Sequence, residues 1–347
     1  MIKSTNMVGT DDILLDHSNG YNKFRRKVLT MLPVIFVVVI IMCLYLIYTF
    51  YHIIPLIQKN SEAGIIQAVI FNVFVLMTLV CFVLSILTKP GEIPNTPEWS
   101  IKATEGGLQS DVKSKELKSN GERRYCKWCA KYKPDRTHHC RVCRTCVLKM
   151  DHHCPWISNC VGWGNHKQLL LLILYSAISC TFITVTLAPT LNKSLNTVTI
   201  QFGDIVALLL AEILSAFLVV VLFSFFFFHL WLVFNSMTTI EFCEKSRSTS
   251  YTNMWFKGYM HSFKQVFGSN PFLWIFPIGN QVGDGINFEN FQESDGGIQN
   301  SKHKNGSNTM SSVNASLVVD CQPKAAEESS LLLSSKQESG KIEDDSL

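Results

Sequence analysis

Four long apolar segments dominate this 347-residue chain and limit what it can fold into. They cover residues 28–54, 65–87, 168–188 and 205–234, and almost none of their positions carries a charge. Each is long enough to cross a hydrocarbon core of about 30 Å as an α-helix. We therefore expect an α-helical polytopic membrane protein with four transmembrane helices. The first segment is too long for a removable signal peptide and lacks a small-residue cleavage pattern, so we expect a signal anchor.

Lysine and arginine are distributed unevenly among the loops. Fifteen lie between residues 89 and 167, one lies between 56 and 63, and one lies between 189 and 203. Loops rich in these residues stay in the cytosol, so we expect the central loop and both termini to be cytosolic. The formal net charge of +4 comes from residues that flank the membrane. Anionic lipid attracts such residues, so we predict the lipid bilayer as a partner and no nucleic acid.

The remaining segments differ in composition. Residues 1–27 are a polar N-terminal tail, residues 88–122 read as a linker, and residues 123–165 form a cysteine-rich module. Residues 235–285 mix polar and aromatic side chains, which suits a membrane-associated segment packed on the membrane surface or on the cysteine-rich module. In residues 286–347 Ser, Asn, Gly, Lys and Glu dominate, which predicts a disordered tail.

Seven of the twelve cysteines lie between residues 126 and 160, inside the loop assigned to the cytosol. Reducing conditions there favour metal binding or catalysis over disulfides. Two sets share the spacing C-x2-C-x9-H-x6-C, offset by fourteen residues: Cys126, Cys129, His139, Cys146, and Cys140, Cys143, His153, Cys160. Three cysteines and one histidine make a closed structural zinc site. The sequence therefore predicts two structural zinc ions per chain, in a module of short hairpins between the second and third helices.

Cys154 belongs to neither set. A third copy of the spacing would place its next ligand at position 157, which is Ile157. The aligned repeats also put Asp151 where the first has Thr137, so a carboxylate accompanies the spare thiol. A cysteine near a histidine that a carboxylate orients is an arrangement that generates a thiolate nucleophile. The alternative is a purely structural module that docks other proteins, in which Asp151 and His152 only support the fold.

The position of Cys154 suggests what it would react with. Only Pro155 to Lys167 separate it from the third apolar segment, so the thiol must lie close to the cytosolic face of the membrane. Trp156 is of a residue type that prefers this interface. A nucleophile there can meet a molecule with one end in water and the other in lipid, such as an acyl-CoA.

The segment Asp151-His152-His153-Cys154, in this loop between the second and third of four helices, resembles the DHHC protein S-acyltransferases. The likeness extends to Thr238-Thr239-Ile240-Glu241 after the fourth helix, similar to the family's Thr-Thr-x-Glu motif, and to the aromatic segment near residues 265–268. It covers the chain from the first helix to about residue 285. One departure is Ser262, since the family commonly has Asn before the aromatic residue that here is Phe263.

The resemblance implies a protein S-palmitoyltransferase. Cys154 would take an acyl group from palmitoyl-CoA or a similar long-chain acyl-CoA and pass it to cytosolic cysteines of membrane-associated protein substrates. His152 would act as general base and Asp151 would orient it. Some basic residues of the module would supply a landing patch for the phosphates of CoA, although the sequence singles out none of them: Arg123, Arg124, Lys127, Lys131, Lys133, Arg136 and His138. The alternative is that they form a cluster of charges flanking the membrane.

The third helix offers a candidate lining for the acyl chain. Leu169, Leu172, Ser176 and Ser179 follow at spacings of three, four and three, so they share one helix face. Leu169 to Ser179 spans about 15 Å, comparable to a largely extended palmitoyl chain. If Ser179 closes the cavity, stearoyl should be accepted about as well as palmitoyl. The alternative is that the two serines permit close helix packing.

Residues 327–332, Glu-Glu-Ser-Ser-Leu-Leu, resemble an acidic dileucine sorting signal. They favour the Golgi as the location, with the plasma membrane and endosomes as alternatives. Two other function classes compete with an enzyme: an adaptor whose zinc module binds protein partners, and a transporter. The chain lacks the paired intramembrane charges and broken-helix repeats typical of transporters, which argues against the latter.

Overall fold

The computed structural model describes residues 10–59, 61–100, 114–197, 201–247, 253–279 and 281–288. Within them, four helical spans are long and apolar enough to cross a membrane: Val28–Gln58, Glu62–Leu87, His166–Leu195 and Phe202–Phe234. The predicted four-helix fold is confirmed, and the chain is a multi-pass membrane protein. The cysteine-rich region lies between the second and third spans, as predicted.

The first span is not a single regular helix. Helix α1 (Thr10–Tyr48) runs through a π-helical turn (Thr49–Ile53) into α2 (Ile54–Gln58). Because α1 begins at Thr10, part of the segment that we predicted as a tail is helical. The other spans are α3 (Glu62–Leu87), α4 (His166–Leu195) and α5 (Phe202–Phe234). Two shorter helices follow, α6 (Thr239–Arg247) and α7 (Tyr259–Phe267).

The spanning helices are held together by aromatic packing and by hydrogen bonds between their side chains. Tyr48 is fully buried against Phe71, and its hydroxyl lies 2.7 Å from Thr186 Oγ1. His52, in the π-helical turn, lies 2.7 Å from Thr190 Oγ1 and 2.8 Å from Gln67 Oε1. Helices in lipid gain little from hydrophobic burial against each other, so packing and polar contacts of this kind stabilise the bundle.

The cysteine-rich module consists of three antiparallel hairpins. They pair β1 (Tyr125–Cys126) with β2 (Lys131–Tyr132), β3 (His138–Cys140) with β4 (Thr145–Val147), and β5 (His152–Cys154) with β6 (Asn159–Val161). The fourteen-residue repeat holds in the backbone too, because Ala130, Arg144 and Ser158 all adopt positive φ at the same point of their turns. The predicted hairpin module is thus confirmed.

The start of the linker packs onto this module. Ile93 and Trp99 are buried in one cluster with Cys126, Cys146 and Leu148. Residues 101–113 of the linker lie outside the described residues, as do residue 289 onward and with them the predicted sorting signal and nearly all of the predicted disordered tail.

The segment after α7 is fastened to the start of α4. The Nζ of Lys167 donates to the carbonyl oxygens of Leu273 and Ile278, at 2.8 and 2.6 Å. Ser262 replaces the expected Asn without leaving its neighbours unpaired, because its hydroxyl bonds to Ser236 Oγ at 2.6 Å and donates to Gly258 O at 2.8 Å.

Candidate active site

The two predicted ligand sets each converge on one point. In each set, one ligand atom from every residue lies within 4.8 Å of the others: Cys126, Cys129, His139, Cys146, and Cys140, Cys143, His153, Cys160. Three sulfur atoms and one imidazole nitrogen in such a group fit the preferences of zinc. The residues therefore fit two metal ions, and each group joins the turn of one hairpin to the strands of the next.

The pattern in which the turn of one hairpin lies on the strands of the next ends at the third hairpin. The turn after β1 lies on β3 and β4, and the turn after β3 lies on β5 and β6. Cys154 begins the equivalent turn after β5, but helix α4 and not a further hairpin follows β6. Its turn instead packs on the spanning helices, where Cys154 and Ile157 share a cluster with Phe82 of α3 and with Leu169 and Ile173 of α4.

The surroundings of Cys154 are apolar. The thiol residue is 6% exposed. Partly buried side chains from all four spans complete its cluster: Val34, Val37, Ile86, Leu172, Leu222 and Phe226. A hydrocarbon chain attached to this sulfur would therefore lie among apolar side chains of the bundle.

His152 and Asp151 form a buried hydrogen-bonded pair beside the thiol. His152 Nδ1 lies 2.6 Å from Asp151 Oδ2, and Cys154 lies near enough to the imidazole to raise its pKa. The carboxylate, the imidazole and the thiol thus stand in the order that nucleophile activation requires. The structure brings these three predicted residues together, while His153 turns to Cys143, with Nδ1 3.4 Å from Sγ.

The surroundings of His152 and Asp151 favour the charged form of both side chains. Burial disfavours the imidazolium, but hydrogen bonds to Asp151 and Cys154 and the negative charges of both raise the pKa of His152 to about 10. Burial likewise opposes ionisation of Asp151, yet the hydrogen bond and the charge of His152 hold its pKa below the usual range. The arrangement therefore supports an imidazolium held against a fully buried carboxylate.

Thr239 holds the carboxylate from the other side. Its backbone N–H donates to Asp151 Oδ1 at 2.9 Å, and its hydroxyl donates to Oδ2 at 2.8 Å. Thr239 is the first residue of α6, so the motif after the fourth span closes over the hairpin module. These two bonds fix the carboxylate that orients His152.

Several basic residues that we predicted for the CoA patch have other partners. Arg136 is 1% exposed and pairs with Glu241, with Nε 2.6 Å from Oε1. Burial, with Arg124 and Lys133 nearby, lowers the pKa of His138 to about 4, so this imidazole is neutral. Of the basic residues from which the patch would be drawn, Arg136 and His138 therefore do not suit phosphate binding. Lys127 is exposed and still suits that role.

Asn159 fastens the third hairpin to the membrane bundle. It pairs with Cys154 across β5 and β6, and its Nδ2 donates to three carbonyl oxygens at the end of α3. The acceptors are Ser85, Ile86 and Thr88, at 3.2, 3.1 and 3.0 Å. The last carbonyls of a helix lack partners within it, so this amide caps α3. Because Asn159 pairs with Cys154, the cap also fixes the position of Cys154 relative to the end of α3.

The predicted acyl-chain residues divide into two groups. Leu169 and Leu172 lie in the cluster around Cys154. Ser176 is half-buried, while Ser179 is buried with its hydroxyl 3.5 Å from Thr78 Oγ1 of α3. Trp156 is exposed, and its ring centroid lies 6.3 Å from that of Phe36 on α1.

An open apolar groove of about 310 Å³ lies between α4 and α5, deeper in the bundle than Leu172. It is lined by Ile178, Thr181, Phe182, Val185, Thr186 and Phe223.

Three residues near the site escaped the sequence analysis. His229 of α5 lies 3.8 Å from Asp151 Oδ2, through Nδ1. Lys149 is buried close to Arg136 and bonds to Gln265 Oε1 at 3.4 Å, and burial, aided by Arg136, lowers its pKa to about 7. Asn159 is the third. Of the three, only Lys149 could have been identified from the local sequence, because it is a cation two residues before Asp151.

The sequence is similar to known proteins of one family. The family model "DHHC palmitoyltransferase" matches residues 119–246. Palmitoyltransferase ZDHHC15 of Rattus norvegicus is 31% identical over 286 residues, which are 76% of this chain and 83% of the relative. Palmitoyltransferase ZDHHC20 of Homo sapiens is 32% identical over 76% of this chain and 77% of its own length.

A plant relative is similar as well. Probable protein S-acyltransferase 13 of Arabidopsis thaliana is 34% identical over 63% of this chain and 74% of its own length. The residues that the family model matches include the hairpin module and the third and fourth spans. The chain therefore belongs to the DHHC palmitoyltransferase family and is a protein S-acyltransferase.

Proposed function

We propose that Cys154 carries the acyl group and that the enzyme works in two half-reactions. The observation that supports this most directly is the buried Asp151-His152-Cys154 arrangement, in which the thiol meets an imidazole on one side and the apolar interior of the bundle on the other. The adaptor alternative does not account for a buried carboxylate that accepts one hydrogen bond from His152 and two from Thr239.

The first half-reaction forms the acyl-enzyme. The Cys154 thiolate attacks the thioester carbonyl of palmitoyl-CoA or a similar long-chain acyl-CoA. A bond forms between Sγ and the acyl carbon, and the bond from that carbon to the sulfur of CoA breaks. CoA leaves with the proton of the His152 imidazolium, so His152 becomes neutral. Asp151 keeps the imidazole oriented throughout.

The second half-reaction reverses these roles. The cysteine thiol of a membrane-associated protein substrate gives its proton to His152 and attacks the acyl carbon. The bond to Cys154 breaks, and the thiolate and imidazolium are restored. One thioester replaces another, so the enzyme mainly has to supply a thiolate and position the reactants.

The acyl chain lies along α4 in this proposal. Leu169 and Leu172 border the first part of the chain, because both lie in the cluster with Cys154. Ser176 and Ser179 follow one and two turns deeper on the helix. Trp156 lies where the thioester would enter from the membrane interface, and Lys127 contributes to the site for the CoA phosphates.

Zinc has a structural role here. One ion would be held by Cys126, Cys129, His139 and Cys146, and the other by Cys140, Cys143, His153 and Cys160. Closed sites of this composition stabilise small modules that lack a sizeable core. They would hold β5 rigid, and with it Asp151, His152 and Cys154.

The location of the reaction follows from charge. The basic central loop favours a cytosolic position for the module and for both termini, so the substrates are proteins with cysteines at the cytosolic membrane face. We place the enzyme in the Golgi, with the plasma membrane and endosomes as further locations.

Purified protein and its Cys154→Ser variant, incubated with radiolabelled palmitoyl-CoA, test the proposal. The wild type should gain hydroxylamine-sensitive label on Cys154, and the variant should gain none while keeping two zinc ions by elemental analysis. A wild-type protein that binds zinc but takes up no label would favour the adaptor. Loss of one zinc from Cys154→Ser would make Cys154 a ligand and refute its assignment as the nucleophile.

A further inference from the structure

His229 is a buried imidazole on α5 that the proposed mechanism leaves unused. Its side chain is 1% exposed, and its ring centroid lies 4.3 Å from that of Phe225 and 5.5 Å from that of Phe228. A polar ring among apolar aromatics is unfavourable unless it forms a hydrogen bond. Packing alone does not explain this histidine, because phenylalanine would fill the same space.

The ring lies beside the carboxylate of the active site. His229 Nδ1 is 3.8 Å from Asp151 Oδ2, the oxygen that also bonds to His152 and Thr239. That Nδ1 atom is buried and has no hydrogen-bond partner in the described part of the chain. The separation is about 1 Å longer than a typical N–H···O bond of about 2.9 Å. A small movement of α5 or of the ring would therefore close the bond.

The need for a further donor changes during the reaction. In the free enzyme, the His152 imidazolium lies 2.6 Å from Asp151 and balances its charge. In the acyl-enzyme, Cys154 is a neutral thioester and His152 has given its proton to the departing CoA. Asp151, whose side chain is 0% exposed, then carries a negative charge while its hydrogen-bond donors, His152 and Thr239, are both neutral. A buried charge of this kind is costly unless further hydrogen bonds support it.

We propose that His229 is a positioning residue for the second half-reaction, in which its Nδ1–H donates to Asp151 and keeps the carboxylate directed at His152. The inference rests on the proposed function. His229 touches neither the acyl group nor the acceptor thiol, and it acts through Asp151. Its loss should therefore slow transfer from Cys154 to the acceptor more than it slows formation of the acyl-enzyme.

Two substitutions in the full-length protein separate this role from packing. His229→Phe keeps the ring volume and removes the donor. His229→Asn makes the side chain smaller but places an amide N–H near the position of Nδ1. If His229 only filled space among the phenylalanines, Phe would be the milder change. If it donates to Asp151, Asn is the milder change.

The measurement follows the two half-reactions in single turnovers. Protein in detergent micelles is labelled with palmitoyl-CoA, freed of excess label, and mixed with an excess of a cysteine-containing acceptor peptide. His229→Phe should slow transfer about tenfold, as expected for a lost hydrogen bond to a charged group, with a smaller effect on labelling. His229→Asn should transfer at close to the wild-type rate, and both variants should retain two zinc ions.

Three results would overturn the inference. Transfer by His229→Phe at the wild-type rate would mean that the imidazole does nothing for the reaction. A greater loss in His229→Asn than in His229→Phe would assign it to packing. Loss of folded, zinc-bound protein in His229→Phe alone would make it a requirement for folding. A wild-type protein that never gains label at Cys154 would instead refute the proposed function itself.

Discussion

Two adjacent histidines have opposite surroundings at the scale of single residues. His152 bonds to Asp151 through Nδ1, whereas His153 directs its Nδ1 to Cys143 and Cys160, at 3.4 and 3.6 Å. Neighbouring side chains on a strand point to opposite faces, so one histidine can serve a metal while the next serves the thiol. The fourteen-residue repeat predicts this difference, because it includes His153 and not His152 in the second ligand set.

Replacing each histidine by alanine should separate these roles. His152→Ala should lower the rate of acyl-enzyme formation by about 100-fold or more, because a positioned acid–base group contributes at least that much. It should retain both zinc ions. His153→Ala should lose the second zinc and lower the melting temperature. Elemental analysis and labelling rates, measured on the same preparations, check both outcomes, and equal zinc loss in the two variants would contradict the assignment.

The contacts of the Asp151 carboxylate could be predicted only in part from the sequence around it. The sequence predicts Asp151 as the partner of His152 because the two are adjacent. Thr239 and His229 lie 88 and 78 residues further along the chain, and nothing near Asp151 points to them. Such contacts depend on how the fourth span and α6 fold back over the module, and only the three-dimensional arrangement determines that.

At the scale of elements, the third hairpin differs from the first two. Its turn packs against the spanning helices, whereas their turns lie against the strands of the next hairpin. Each of the first two turns is joined to the following hairpin by two cysteines of a metal site. Cys154 belongs to none of the metal-ligand groups among the described residues, and Asn159 links its hairpin to the bundle by capping α3 with three hydrogen bonds. The hairpins could be predicted from their repeat, but this cap could not, because asparagine alone gives no periodic signal.

Asn159→Ala should detach the reactive turn from α3 without disturbing the metal sites. We expect the acyl-enzyme to form about tenfold more slowly, since small displacements of a nucleophile are costly, while both zinc ions remain. Asn196→Ala is a matched control, because that asparagine donates to Asn192 O at 2.7 Å near the far end of α4. Similar labelling rates for the two variants would show that the α3 cap does not position Cys154.

The face of α4 that holds Ser179 provides a second prediction at this scale. Ser179→Phe should shift acyl-chain preference from palmitoyl and stearoyl towards myristoyl, because added bulk would exclude the last methylenes. Ser179→Ala loses the 2.8 Å bond to Tyr175 O and the 3.5 Å contact with Thr78 Oγ1 but adds no bulk, so it should keep the wild-type preference. Competition between acyl-CoAs of different length measures this. An unchanged preference in a folded, active Phe variant would assign Ser179 to packing against Thr78.

At the scale of the whole molecule, the hairpin module is fastened to the segments that follow the fourth span. Arg136 forms two bonds to Glu241, of 2.6 and 2.8 Å, and a third to Ser236 O at 2.8 Å. Thr239 reaches Asp151 from the same helix. The spans and the module could be predicted separately, because apolar length and ligand spacing are local patterns. The way they dock could not, since it depends on paired charges about 100 residues apart.

The buried pair of Arg136 and Glu241 provides the last prediction. Glu241→Ala leaves a guanidinium that is 1% exposed without its carboxylate, and breaking such a pair costs about 3–5 kcal/mol. We expect a lower melting temperature and a slower acyl-enzyme step, because α6 would release Thr239 from Asp151. The double variant Arg136→Leu, Glu241→Leu removes both charges and should recover much of the stability but less of the activity. If Glu241→Ala melts as the wild type does, the ion pair does not hold the module in place.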